Sequence, residues 1–136
     1  MGADSGTITL LDDVKHYGLR VLKFTWLATA GGAFEKSLPG VVVGRLLQIQ
    51  AFPGGTPPTA LSDLAIFDQN DSSQADGLVT AAGDGADLIT TSYKKKAISA
   101  PQPIVDGTLR FQITNNVAAN STGTILVFIE EMRRAR

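Results

Sequence analysis

The chain of 136 residues has one histidine, His16, beside Tyr17, and no cysteine at all. That excludes disulfides, thiol nucleophiles and cysteine metal sites, and a lone histidine is a poor start for a zinc centre. No Gly-x-Ser-x-Gly elbow offers a serine nucleophile, so His16 has no triad to serve and is expected at a surface or an interface. The stretch Asp68-Gln69-Asn70-Asp71-Ser72-Ser73 begins like a calcium loop, with oxygen ligands at alternate positions. Ser73 stands where that loop needs glycine, and Val79 where it needs its last glutamate. A solvated turn is the favoured reading, with Asp68, Asn70, Asp71 and Asp76 as a non-standard alternative for an ion. Gly83-Asp84-Gly85-Ala86-Asp87 is read in the same way, as a flexible turn first and an ion site second.

Phosphate and nucleic-acid chemistry fare no better. Pro53-Gly54-Gly55-Thr56 has paired glycines, but no helix and no Gly-Lys-Ser/Thr follows, so it is not a phosphate cradle. The basic clusters are Lys94-Lys95-Lys96 and Arg133-Arg134-Ala135-Arg136, without the interleaved aromatics that stack on bases. Lysines of this kind suit a solvated edge strand, where they discourage sheet-to-sheet association. With 12 Lys+Arg against 13 Asp+Glu, the net charge of -1 argues against neutralising phosphates. No apolar run reaches the roughly 18 residues of a membrane span. The first residues carry no secretion signal, and Gly6 breaks the myristoylation pattern. Asn120-Ser121-Thr122 formally matches a glycosylation acceptor and is read as a turn. The expectation is a non-enzymatic protein made in a cytoplasm, with no cofactor, no nucleic-acid partner and no membrane partner.

The elements that position these residues are strands. Leu22, Phe24 and Trp26 alternate with Lys23 and Thr25, the period of a half-buried strand. Val41 to Phe52 is a longer one, with Leu47, Ile49 and Ala51 on one face, stopped by Pro53 to Pro58. Leu61 to Phe67 and Leu88 to Lys94 read as strands, and Leu109, Phe111 and Ile113 alternate cleanly. Thr124 to Ile129 is apolar on both faces, which is expected of a strand covered on two sides. Val79 to Ala82 reads as a short helical turn. Residues 1–18 form a lead-in, either a first strand or an arm reaching a neighbour, and residues 19–136 a single antiparallel β-sandwich, jelly-roll-like. Charged residues make up 18%, below the roughly 25% usual in soluble domains. The simplest reason is surface covered by other copies or subunits, and an ordinary Thr/Ser/Asn/Gln-rich β surface is the equal alternative.

The ordered segments resemble those of small bacteriophage virion proteins. The residues that carry the likeness are Leu22-Lys23-Phe24-Thr25-Trp26, Thr29-Ala30-Gly31-Gly32, Gly44-Arg45-Leu46-Leu47-Gln48-Ile49 and Pro53-Gly54-Gly55-Thr56-Pro57-Pro58-Thr59. Asp63 to Asp68, Gly107 to Ile113 and Gly123 to Ile129 complete the set. The polar loop Asp71 to Ala86 and the charged end Glu130 to Arg134 depart from that pattern. The resemblance implies a capsid decoration (cement) protein, a homotrimer that braces the major capsid protein or other virion subunits. A tail, neck or baseplate position is the alternative within the particle. The expected partner contacts are Ile8, Leu10, Leu11, His16 and Tyr17 in the lead-in and Pro53, Gly54, Gly55, Thr56 and Pro57 in the loop. A carbohydrate-binding sandwich is a reading from another class, with Trp26 expected in the core and Tyr17 and Tyr93 free to meet a sugar.

Overall fold

Alternation along each strand decides which side faces the core. In a computed structural model that describes residues 4–68 and 77–131, nine strands form: β1 (Thr7–His16), β2 (Leu19–Leu27), β3 (Phe34–Ser37), β4 (Val42–Pro53), β5 (Asp63–Phe67), β6 (Lys94–Ala97), β7 (Ile104–Gly107), β8 (Arg110–Thr114) and β9 (Thr122–Glu131). The large sheet runs β1-β2-β9-β4-β6, with β7 also paired to β4, and the small sheet runs β3-β8-β5. Every pairing between these strands is antiparallel. The expected all-β sandwich is what the chain builds, from sheets of unequal width.

Leu22, Phe24 and Trp26 of β2, Ile49 and Ala51 of β4, and Ile125, Val127 and Ile129 of β9 face inward. Phe34, Leu64, Ile66, Phe111 and Ile113 meet them from the small sheet. Two aromatic pairs bridge the layers: Phe24 with Phe111, ring centroids 4.5 Å apart, and Trp26 with Phe34, 5.7 Å apart. Trp26 is thus a core residue, as its alternation requires.

Of the two readings of the lead-in, the structure has the strand. β1 pairs with β2 from Thr7 to His16. Tyr17 and Gly18 close the hairpin with φ of 49° and 82°, the pair of positive angles that a two-residue type I′ turn needs. Just before β1, Ser5 and Glu35 exchange backbone hydrogen bonds of 2.9 and 3.0 Å, so the lead-in laces the small sheet to the large one.

Four expectations need correcting. A register shift between Leu46 and Gln48 inserts one extra residue, so Leu46, not Leu47, shares the inner face with Ile49 and Ala51. The strand expected from Leu61 begins at Asp63, because Leu61 takes a left-handed φ of 63°. Leu88 to Lys94 is not a strand: Leu88 and Ile89 are loop anchors sunk in the core, and β6 starts at Lys94. At 79–82 there is no helix; Val79 bridges Ile66, and Thr80 O accepts bonds from Gly83 N and Gly85 N.

Gly123 is forced by packing. A Cβ there would lie 2.6 Å from Trp26 Nε1 and 2.8 Å from Phe52 O. Gly123→Ala is therefore expected to destabilise the protein by about 1–3 kcal/mol, through overpacking against an anchored ring. A urea midpoint unchanged from wild type would refute this.

Candidate interaction face

The sequence-derived contact residues do not gather on one surface. His16 and Tyr17 sit at the β1–β2 hairpin tip, their rings 4.1 Å apart, with Tyr17 95% exposed. Ile8 and Leu10 pack inward on the core, while Leu11 is exposed at a register shift between Leu10 and Asp12. Pro53 to Pro57 lies at the opposite end of β2, about 25–30 Å from the tip. That loop is tied down. Gly54 N donates to Thr122 O at 2.9 Å and Thr122 N to Thr56 O at 2.8 Å, and a Cβ on Gly54 would collide with Thr122. The Pro-Gly-Gly-Thr run thus extends the β4–β9 ladder beyond the proline, while Gly55, Thr56 and Pro57 remain exposed.

The tip is also held. Arg20, only 8% exposed, donates through Nε and Nη2 to the two oxygens of Asp13 at 2.9 and 2.8 Å, and through Nη1 to Val41 O at 3.0 Å. The Arg20 hydrogen bonds hold the Asp13 carboxyl below its ordinary 3.8, against partial burial that pushes it up. A carboxylate with a depressed folded pKa contributes stability in full above its unfolded value, and loses it as pH falls through the folded value. Hydrogen exchange of the hairpin amides is expected to quicken as pH drops below 3.8, after correction for intrinsic rates. Asp13→Asn should remove that component. An acid response identical in the two proteins would refute the assignment.

The candidate ion ligands are differently employed. Asp68 is 4% exposed and its Oδ2 accepts from Asp106 N at 2.9 Å, which ties the end of β5 to β7. Asn70, Asp71 and Asp76, like the tail 133–136, lie outside the described residues. Asp84 accepts from Ser99 N at 3.0 Å and Ser99 Oγ at 2.7 Å, and Lys96 Nζ stands 3.7 Å away. Among the described residues, no group of three or more His, Cys, Asp or Glu side chains is arranged to hold a metal.

What the sequence reading missed is the outer face of the large sheet. Residues paired across strands share a face, so the register places Val14, Val21 and Phe128 in one row and Lys23 and Leu126 in the next. Val14, Val43, Phe52, Tyr93 and Ile104 are between 38% and 48% exposed. The Phe52 and Tyr93 rings stack at 4.6 Å. A depression of about 390 Å³ opens on this face, where Thr7, Thr9, Thr25, Thr122 and Thr124 crowd together from three strands. The signal was in β9. Its run of five apolar residues, Ile125 to Ile129, reads as a strand covered twice, yet the small sheet covers one side while Leu126 and Phe128 stay partly exposed on the other.

No protein-family model matches the chain, and no curated protein does. A solved structure, the cyanophage Pam1 capsid asymmetric unit, superposes with a TM-score of 0.40 at 18% identity, over 95% of this chain and 86% of that one.

Proposed function

We propose that the chain is a structural, non-catalytic subunit of a bacteriophage particle: a capsid decoration protein that assembles as a trimer on the shell and braces neighbouring capsid subunits. The observation that carries this reading is the outer face of the large sheet, where Val14, Val43, Phe52, Tyr93 and Ile104 stand exposed around the partly buried Leu126 and Phe128, interleaved with polar and charged residues. A sheet face with this many exposed large apolar side chains, on a chain with 18% charged residues, suits burial against other subunits. The ordered likeness to small virion proteins, from Leu22-Lys23-Phe24 to Gly123–Ile129, supports the setting. Several weak contacts made at once by one trimer add up to firm attachment, and binding only the assembled shell stabilises it by mass action.

Particles purified from cells that carry the encoding genome should contain the chain in many copies, on the outer shell. Its absence from such particles overturns the proposal. Labelling confined to the neck would select a tail or neck position instead.

A second reading has one observation behind it. The stacked Phe52–Tyr93 pair is an exposed aromatic patch of the kind that meets sugar rings. Glycan-array binding that Tyr93→Ala abolishes would establish it, and a blank array would dismiss it.

A further inference from the structure

We infer that the outer face of the large sheet pairs with the same face of a second copy, about a twofold axis running along β9. β9 is the middle of the order β1-β2-β9-β4-β6. A twofold axis parallel to the strands therefore lays β1 over the partner's β6 and β2 over the partner's β4. The register makes one row of Asp12, Lys23, Leu126, Gln50 and Lys95. In the pair, Leu126 meets Leu126, Lys23 meets Gln50, and Asp12 meets Lys95 twice, once at each edge.

The neighbouring row is Val14, Val21, Phe128, Gln48 and Ala97, which sets Phe128 on Phe128 and Val14 on Ala97. The alternative axis, across the strands and through this row, would set Asp12 on Asp12 and Lys95 on Lys95. Like charges in a drying interface are costly, so of these two axes the charge pattern favours the one along β9. That axis does bring Glu130 to Glu130 at the end of the face, but each beside its own Arg45 at 3.7 Å. Lys96, the next residue of β6, faces the other way and pairs with Asp84 at 3.7 Å, which leaves Lys95 as the outward cation of that edge.

Size agrees with the pairing. Five strands about 4.8 Å apart and four outward rows cover about 600 Å² on each copy, or about 1,200 Å² in all, within the range of specific interfaces. Sheets stacked about 10 Å apart and twisted by roughly 30° fit such a contact, and the long Lys95 stem spans the offset that twist creates at the edges. The contact goes beyond the threefold assembly proposed above, because it joins one trimer to the next.

Charge exchange tests this on the full chain, with mass measured by sedimentation. Wild type should contain an even number of copies, two if trimers form only on a shell and six if they form in solution. Asp12→Lys alone, and Lys95→Asp alone, should each weaken the contact at least about a hundredfold by setting like charges together at both edges. Mixing the two variants should restore the pair, since each edge then joins Lys to Asp. An unfolded variant could not do this, so recovery also controls for folding.

A wild type that is monomeric or trimeric at every concentration overturns the inference while leaving the decoration reading intact. So does a mixture that gains no mass. A folded Leu126→Glu variant that stays paired with itself but leaves the shell also overturns it, and assigns the face to the shell.

Discussion

Arg110→Met is expected to destabilise the fold by about 3–5 kcal/mol, because it strips a buried carboxylate of its counter-charge. Arg110 Nε donates to Glu35 Oε2 at 2.9 Å, with the Arg110 side chain 12% and the Glu35 side chain 8% exposed. The same guanidinium reaches Asp4 Oδ1 at 2.8 Å and Ser37 Oγ at 3.2 Å. Burial works against its charge, and the hydrogen bonds it donates to Glu35 and Asp4 outweigh that, raising its pKa. After substitution Glu35 keeps Gln112 Nε2 at 3.2 Å and the uncompensated charge. The double variant Arg110→Met with Glu35→Met should recover most of the loss, since it removes the stranded charge together with its partner. Chemical denaturation of the wild type and the two variants checks this. A double variant as unstable as the single one would show that the ion pair is not what matters there.

The second large effect is expected at the bolt between the sheets. Phe24 and Phe111 are fully buried, and their rings meet at 4.5 Å and 51°. Either residue replaced by alanine should lose about 3–5 kcal/mol, as lost transfer energy plus the cavity left behind. The two losses should not add. Roughly 0.5–1.5 kcal/mol of aromatic contact is counted in both single variants, so the double variant should fall short of their sum by that margin. Strict additivity would mean that each ring is held by its own sheet rather than by the other.

Much of this fold was legible because period 2 writes burial directly into the sequence. β2 and β8 alternate in sequence and their inward residues are the buried ones, whereas β9, apolar on both faces, was legible as a strand but not in which side it turns inward. β3 and β7 were not legible. Each has four residues, too few to establish a period, and each is recognisable only through its partner, β8 or β4. The slip in β4 was equally hidden, since one inserted residue changes which of Leu46 and Leu47 points inward without changing composition. The contact residues proposed from sequence scattered for a related reason. Ile8 and Leu10 looked available because the lead-in had no known partner, and pairing with β2 turns both onto the core. The face that does stand open is assembled from single residues spread over β1, β2, β4, β6, β7 and β9. Only the register gathers them.

The place of β9 also governs how the molecule comes into being. Its neighbours β2 and β4 are completed by residues 27 and 53, yet the strand that separates them spans Thr122–Glu131. While the ribosome is still making the intervening chain, both early strands expose the edge that β9 will occupy. Pairings across so long a stretch make folding slow, in the millisecond-to-second range of β-rich domains. Two unpaired, apolar edges during that interval are a hazard for association between nascent chains. A cell that makes this protein in quantity therefore has reason to keep nascent copies apart until the middle of the sheet arrives.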